Sequence, residues 1–239
     1  GMRSGIAALG HLVRWPLPVE PWAEPVRGNR TVPGDAFDML AAYGIPVVRS
    51  RDAGSLHAVL AAADDVGYPV ALKTAGTLHK SDVGGVALHL ADPEALRTAY
   101  TAMADALGPD VSVQQMAADG VEVSVGFVRD RAFGPLVIVA AGGTLVELLA
   151  DRAVACPPVS RATAVRLLDG LRIRPLLAGW RGAPPVDIDA LADVVVRFSD
   201  MAMELGEVLD AVEANPVVAS AGGVVAVDAL TIVRGGIGE

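Results

Sequence analysis

The chain has 239 residues, enough to bury a large core as one domain or as two small lobes. Hydrophobic residues make up 52% and aromatic residues only 4%, so Ala, Val and Leu must build that core. A net charge of −9 argues against nucleic-acid binding through a basic surface, no apolar run is long enough for a membrane span, and the single Cys156 suits a reducing compartment. We therefore expect a cytoplasmic protein with no nucleic-acid and no membrane partner.

The first 34 residues differ from the rest of the chain. Residues 6–15 could form a short amphipathic helix, but the prolines that follow exclude regular structure as far as Gly34. These prolines are Pro16, Pro18, Pro21, Pro25 and Pro33. Residues 1–34 are therefore predicted to be an arm or a linker.

From Asp35 onward, helix and strand patterns alternate. The predicted helices span residues 36–43, 52–66, 93–107, 145–149, 160–171 and 188–205. The predicted strands span residues 45–48, 68–74, 86–90, 111–115, 121–128 and 136–141, followed by strands around Asn215-Pro216 and Gly222-Gly223. Mixed elements with consecutive hairpins favour α+β lobes over a doubly wound parallel sheet.

The first candidate site contains the only two lysines of a chain with 19 Lys and Arg residues, Lys73 and Lys80. Lys73 lies near the end of a predicted strand, and a predicted loop then runs through Lys80 to Gly84-Gly85. Glycines let consecutive backbone N–H groups point at an anion, and lysine is a compact charge suited to a phosphate oxygen. Gly84-Gly85 alone would predict a plain hairpin turn, but the two lysines favour a phosphate site.

The second candidate site lies between the two predicted lobes. Gln114 and Gln115 end a strand, and Glu122 begins the next one after a turn. The hinge backbone could hydrogen-bond an adenine edge, and Glu122 could accept hydrogen bonds from ribose hydroxyls. A Gln and a Glu beside a turn are also typical of solvated surface, so both interpretations stay open.

The third candidate site is near the end of the chain. Glu213 and Asn215 are two residues apart on a predicted strand and face the same side, and Asp228 lies on the following strand. Carboxylate and amide oxygens that converge from neighbouring strands suit Mg²⁺. Capping and cross-strand hydrogen bonds would explain the same residues equally well.

Phosphate-binding cations, an adenine hinge and a metal pair follow one another as in an ATP-grasp nucleotide site. From about Asp35 to Leu230 the chain resembles the ATP-grasp, beta-subunit-like part of NDP-forming acyl-CoA synthetases, which are related to succinyl-CoA synthetase beta subunits. The most specific segment is GYPVALKTAGTLHKSDVGGV, residues 67–86. Supporting segments are GVEVSVGFVRDRAFGPLVIVAAGG at 120–143, PLLAGWRGAPP at 175–185, and VEANPVV with VDAL. The resemblance implies an ATP-grasp fold, with α+β lobes at residues 35–115 and 116–239 that clamp a nucleotide.

The resemblance also implies a reaction, acyl-CoA + ADP + phosphate ⇌ acid + CoA + ATP, through an acyl phosphate and a phosphohistidine. Its cofactors would be ATP or ADP and Mg²⁺. By similarity, His79 and Lys80 are catalytic, with His79 as a phosphoryl carrier. The nucleotide-binding residues implied are Lys73, Lys80, Ser81, Gly84, Gly85, Gln115 and Glu122. The metal ligands implied are Glu213, Asn215 and Asp228.

The chain departs from the family pattern at three positions. Leu230 replaces a basic residue that usually contacts phosphate, Ala141 replaces a glycine, and Gln115 stands where Glu is frequent at the hinge. The CoA-binding domain is expected on a separate alpha-like subunit. The alternative is a catalytically idle ATP-grasp module that senses a ligand or acts as a scaffold. The sequence names neither the acyl group nor ATP over GTP.

Overall fold

The computed structural model describes residues 35–75, 84–143 and 149–235. The predicted arm, residues 1–34, and most of the predicted helix at 145–149 lie outside the described residues. So does the predicted loop that carries His79, Lys80 and Ser81.

The described elements alternate between helices and strands in the predicted manner. The helices are α1 (Ala36–Ala42), α2 (Leu56–Val66), α3 (Pro93–Leu107), α4 (Arg161–Asp169), α5 (Arg174–Leu177) and α6 (Ile188–Leu205). The strands are β1 (Ser50–Ala53), β2 (Val70–Thr74), β3 (Val86–Leu90), β4 (Val111–Gln115), β5 (Val121–Asp130), β6 (Gly134–Ala141), β7 (Arg152–Ala155), β8 (Leu209–Ser220), β9 (Gly223–Ala226) and β10 (Ala229–Val233). No helix of the described part is long and apolar enough to cross a membrane.

Two antiparallel sheets organise the described chain, each with helices on one face. The first sheet has the strand order β1-β4-β2-β3, and α2 and α3 bury Val59 and Leu96 against Leu72 and Val113. The second sheet has the order β10-β8-β5-β6-β7, with β9 paired to β8 and a larger core under α6. This arrangement confirms the α+β prediction.

Side-chain caps and apolar periodicity explain the helices that the sequence predicted well. Asp92 accepts backbone hydrogen bonds from Glu94 and Ala95 at the start of α3, which begins with Pro93. Asp187 caps α6 through Ala190 N. The buried residues of α6 recur at helical spacing and form one face toward the second sheet. They include Leu191, Val194, Val195, Phe198, Met201 and Leu205.

The prediction was wrong between residues 45 and 55. The predicted strand at 45–48 is a single bridge between Val47 and Ala226. The predicted helix at 52–66 begins at Leu56, because Ser55 rather than Asp52 caps it, through Ala58 N. Residues 50–53 instead form β1, which pairs with β4. The short elements β7 and α5 were not predicted from the sequence.

Helix α1 packs with the second sheet, although its residues belong to the segment assigned to the first lobe. Its buried Met39 and Leu40, with Ile45 after it, belong to the larger core. Segment 46–48 also joins that sheet, since Val48 N donates to Ala226 O and Ala226 N donates to Pro46 O. A division of the lobes between residues 115 and 116 stays a prediction.

Asp151 provides a test of the fold because it ties β7 to the start of α5. Its carboxylate is 6% exposed and accepts from Arg172 N at 2.9 Å and Ile173 N at 3.1 Å. We expect Asp151→Ala to lower the free energy of unfolding by about 3 kcal/mol, since two backbone donors, one of them in the buried Ile173, lose a charged acceptor. Urea unfolding measures this loss. The control is Asp169→Ala, which removes only an exposed partner of Arg174 and should change stability by less than about 1 kcal/mol.

Candidate functional site

Lys73 reaches from the first sheet to the second. In β2, Val70 and Leu72 point into the core under α2 and α3, so Lys73 points to the opposite face. It is only 5% exposed, and its Nζ donates to the backbone carbonyl of Val227 at 2.8 Å. Val227 immediately precedes Asp228 on the chain. The buried cation therefore lies beside one of the predicted metal ligands.

The two glycines of the first candidate site lie next to Lys73. Thr74 N donates to Gly85 O at 2.8 Å, so Gly85 lies beside the end of the strand that carries Lys73. Gly84 has a φ of +73°, a conformation that favours glycine. The predicted residues His79, Lys80 and Ser81 lie outside the described residues.

Asn215 and Asp228 are adjacent, but the prediction that Asp228 lies on a strand is wrong, because it lies in the break between β9 and β10. Asn215 N donates to Asp228 O at 3.0 Å. The neighbouring residues Ala214 and Ala229 form the adjacent pair of the β8–β10 ladder. The Asn215 side chain accepts from Gly143 N at 3.0 Å through Oδ1. The Asp228 carboxylate accepts from Ala229 N through Oδ1 at 3.0 Å. Both side chains are thus held in place by backbone groups.

Glu213 lies on the same face of the second sheet, where its carboxylate accepts a hydrogen bond from Ser124, a residue that was not predicted from the sequence. Ser124 is 5% exposed, and its hydroxyl donates to Glu213 Oε1 at 2.7 Å. The alternation of Glu122, Ser124 and Gly126 along β5 could have revealed Ser124, since these residues share a face. Leu230 pairs with Glu213 across the strands and is 39% exposed, so an apolar side chain stands beside this carboxylate.

Glu122 and Asn215 meet around Gly143. Gly142 N donates to Glu122 O at 2.9 Å, and Gly143 has a φ of +64°. A Cβ added to Gly143 would lie 1.6 Å from Glu122 Oε2, so only glycine allows the carboxylate to approach this backbone. The carboxylate predicted to hold ribose therefore lies next to the backbone group that holds Asn215.

Gln115 is placed apart from these residues. Its backbone N donates to Arg49 O at 2.9 Å, and its side-chain Oε1 accepts from Arg49 Nε at 3.3 Å. Lys73 pairs with Ser112, so Gln115 lies three residues, or about 10 Å, further along the sheet. Its described hydrogen bonds anchor β1 to β4, while its proposed hinge role remains a prediction.

An open cavity of about 440 Å³ adjoins the cluster. Its walls include Gln114 and Ser112 on β4, Thr74 on β2, and Asp228 on the second sheet. The cavity therefore extends from Gln114 near the end of β4 to Asp228, one of the candidate metal ligands.

The donor atoms at Glu213, Asn215 and Asp228 fit Mg²⁺. They are two carboxylates and an amide oxygen, the hard oxygen donors that this ion prefers, and it commonly takes few protein ligands. Among residues 35–75, 84–143 and 149–235, no three His, Cys, Asp or Glu side chains form a metal-binding group. A metal here would therefore depend on the amide of Asn215 and on oxygens from a bound ligand.

A comparison with known families identifies the class of this protein. Residues 27–233 match the ATP-grasp domain, and the chain belongs to this family. The match covers both sheets and every candidate site residue, including those in the undescribed loop.

Relatives within this family are acyl-CoA ligases. The chain is 36% identical over 208 residues to the beta subunit of acetate–CoA ligase [ADP-forming] I from Pyrococcus furiosus, covering 83% of this chain and 89% of the relative. It is 34% identical to acetate–CoA ligase [ADP-forming] I from Archaeoglobus fulgidus but spans only 30% of that longer chain. The chain is therefore homologous to the ATP-grasp beta subunits of acid–thiol ligases.

Solved structures show the same fold. An acetyl-coenzyme A synthetase from Ca. Korarchaeum cryptofilum, in complex with coenzyme A and Ca-AMPCP, superposes with a TM-score of 0.77 at 34% identity over 83% of this chain and 91% of that chain. Another structure of that protein contains Mg-AMPPCP, with a phosphohistidine segment pointing towards the nucleotide-binding site; its TM-score is 0.74 at 36% identity, over 83% of this chain and 90% of that chain. These findings confirm the predicted ATP-grasp fold.

Proposed function

We propose that this chain is the nucleotide-binding subunit of an ADP-forming acyl-CoA synthetase. The observation that carries the proposal is the buried Lys73, whose Nζ lies 2.8 Å from the carbonyl next to Asp228. A cation on one sheet and oxygen donors on the other define a place where a polyphosphate with its Mg²⁺ can sit between them. A calorimetric titration with Mg-ATP tests the proposal, because the absence of binding at millimolar nucleotide would contradict it.

Lys73 and the glycine-bordered loop would bind and orient the phosphates. The Lys73 ammonium can exchange the Val227 carbonyl for a phosphate oxygen without leaving its buried position, and so neutralises charge that develops during transfer. Lys80, Ser81, Gly84 and Gly85 would cover the phosphates. Glu122 would hold the ribose.

Mg²⁺ would be held by Glu213, Asn215 and Asp228. When bound, it neutralises phosphate charge and orients the transferring group. Ser124 fixes the Glu213 carboxylate, and Gly143 N fixes the Asn215 amide, so this part of the site is organised by the chain itself.

His79 would carry the phosphoryl group. A neutral imidazole nitrogen attacks the γ-phosphorus of ATP, and the bond from that phosphorus to the β–γ bridging oxygen breaks, which releases ADP. The N–P bond then breaks when the partner subunit accepts the phosphoryl group, and the imidazole returns to its starting state. The reverse sequence makes ATP from ADP.

A CoA-binding alpha-like subunit on a separate chain would complete the reaction. The Pyrococcus furiosus relative, 89% of which the chain covers, is named as a beta subunit. The alternative of an idle module gains no support from these relatives, which are all named as ligases. Use of ATP and an exposed single Cys156 favour the cytoplasm.

Asp228→Asn tests the metal assignment. Asparagine keeps an oxygen for the hydrogen bond from Ala229 N but removes the negative charge. We expect Mg-ATP affinity to fall at least about tenfold, because even groups outside the metal's own ligand set contribute that much in other sites. ATP without Mg²⁺ should bind the variant as well as it binds the wild type.

The control for this prediction is Asp130→Asn. Asp130 also accepts backbone hydrogen bonds, from Ala132 N and Phe133 N, but at the tip of the β5–β6 hairpin. It should leave Mg-ATP affinity unchanged. Equal weakening in both variants would show that the loss at Asp228 is not a metal effect.

A further inference from the structure

Gln114 is a buried polar side chain whose carbonyl has no partner in the described part of the chain. The residue is 3% exposed, and its Oε1 accepts no hydrogen bond from the described residues. A buried carbonyl without a hydrogen bond costs free energy in the folded protein. Because this carbonyl belongs to a residue that lines a cavity, a bound ligand can supply the missing donor.

The position of Gln114 shows which ligand this could be. Its neighbour Val113 points into the core under α2 and α3, so Gln114 faces the other side, where it lines the 440 Å³ cavity. Gln114 pairs with Ala71, two residues before Lys73, and therefore lies about 7 Å from the phosphate-binding position along the sheet. It lies on the side away from Gly84-Gly85, where the nucleoside would sit if the phosphates occupy the loop.

We propose that Gln114 hydrogen-bonds the nucleoside of the bound nucleotide and determines its affinity. This inference rests on the proposed function. An amide offers an acceptor and two donors, so it can pair with an exocyclic amine on the base or with a ribose hydroxyl. The side-chain carbonyl of Gln115, in contrast, accepts a hydrogen bond from Arg49 Nε. The unsatisfied carbonyl of Gln114 is a stability cost that nucleotide binding removes.

Gln114→Leu gives this proposal a signature that a structural residue would not produce. Leucine fills similar space and leaves no unpaired carbonyl, so the thermal midpoint of the ligand-free variant should equal or exceed that of the wild type. Its Mg-ATP affinity should fall about fivefold to tenfold, the value of one or two hydrogen bonds. Affinity for Mg-tripolyphosphate, which has no nucleoside, should not change. Calorimetry and thermal unfolding measure these quantities.

Inosine triphosphate separates the base from the ribose as the source of the hydrogen bond. It replaces the exocyclic amine of adenine with a carbonyl. If the amine is the partner, the wild type prefers ATP and Gln114→Leu loses that preference. If a ribose hydroxyl is the partner, the variant weakens both nucleotides equally. Either result supports nucleoside recognition by Gln114.

Thr231→Val is the matched control. Thr231 also has a buried Oγ1 without a hydrogen-bond partner in the described part, but it lies on β10 and is not among the residues of the cavity wall. It should affect stability in the same direction as Gln114→Leu and leave nucleotide affinity unchanged.

If the wild type binds Mg-ATP and Gln114→Leu binds it equally, the inference is wrong and the proposed function stands. The inference is also wrong if Gln114→Leu is less stable than the wild type and has a lower affinity for Mg-tripolyphosphate. A wild type that binds no Mg-ATP removes the proposed function and this inference together.

Discussion

Lys73→Met should reduce Mg-ATP affinity on the order of 100-fold, since a charged hydrogen bond to phosphate is worth up to about 3 kcal/mol. Methionine keeps the length of the side chain and its packing at a position that is 5% exposed, but it removes the cation. The ligand-free fold should persist, because removing a buried charge offsets the loss of the hydrogen bond to the Val227 carbonyl. The lost affinity therefore reports the phosphate contact and not unfolding.

Isothermal titration with Mg-ATP measures this effect, with circular dichroism as the check on folding. Arg152→Met is the control, since it removes one exposed cation from the far edge strand β7 and changes net charge equally. It should bind Mg-ATP like the wild type. If both variants lost affinity alike, the effect would be one of overall charge. Unchanged affinity in Lys73→Met would remove Lys73 from the site.

Lys73→Arg should also fail to bind well, although it preserves the charge. The chain uses arginine for nearly all of its cations, so the lysine at this position is a departure from its own composition. A planar guanidinium is broader than an ammonium and cannot occupy the space between β2 and the Val227 carbonyl in the same way. We therefore expect this position to require both the charge and the compact shape of a lysine side chain.

The elements that the sequence predicted well are those whose signals are local. Helices α3 and α6 match their predicted limits because a capping Asp and an apolar stripe are both written within the helix. Strand β1 was missed because its ladder partner, β4, lies about 60 residues away in sequence. Residues 50–53 carry two charged side chains and no alternating pattern, so only tertiary pairing makes them a strand.

The candidate site divides in the same way. Glu213, Asn215 and Asp228 could be grouped from strand alternation and a hairpin, and the structure places Asn215 beside Asp228. The hydrogen bond between Gln115 and Arg49 could not be predicted from the sequence, because it joins residues 66 positions apart. The unpaired carbonyl of Gln114 was equally hidden, because the sequence shows that a Gln is present but not what surrounds it.

His79→Asn should abolish phosphoryl transfer while Mg-ATP affinity stays within about twofold of the wild type. Asparagine approximates the size of the imidazole and its hydrogen bonding but has no nucleophilic nitrogen, so the covalent step is lost and nucleotide binding is not. Incubation with γ-labelled Mg-ATP, followed by denaturation in alkali, should leave label on the wild-type chain. A phosphoimidazole is stable in alkali and is hydrolysed in acid, which identifies the modified residue type.

His57→Asn is the matched control for the carrier, because His57 is an exposed histidine on α2 and belongs to no candidate site. It should take up label like the wild type. Label that persists in His79→Asn would rule out His79 as the carrier, and acid-stable label would exclude a histidine altogether. Loss of label with retained binding would assign phosphoryl transfer, and not nucleotide binding, to His79. That result decides whether the chain passes a phosphoryl group to its partner or only binds the nucleotide.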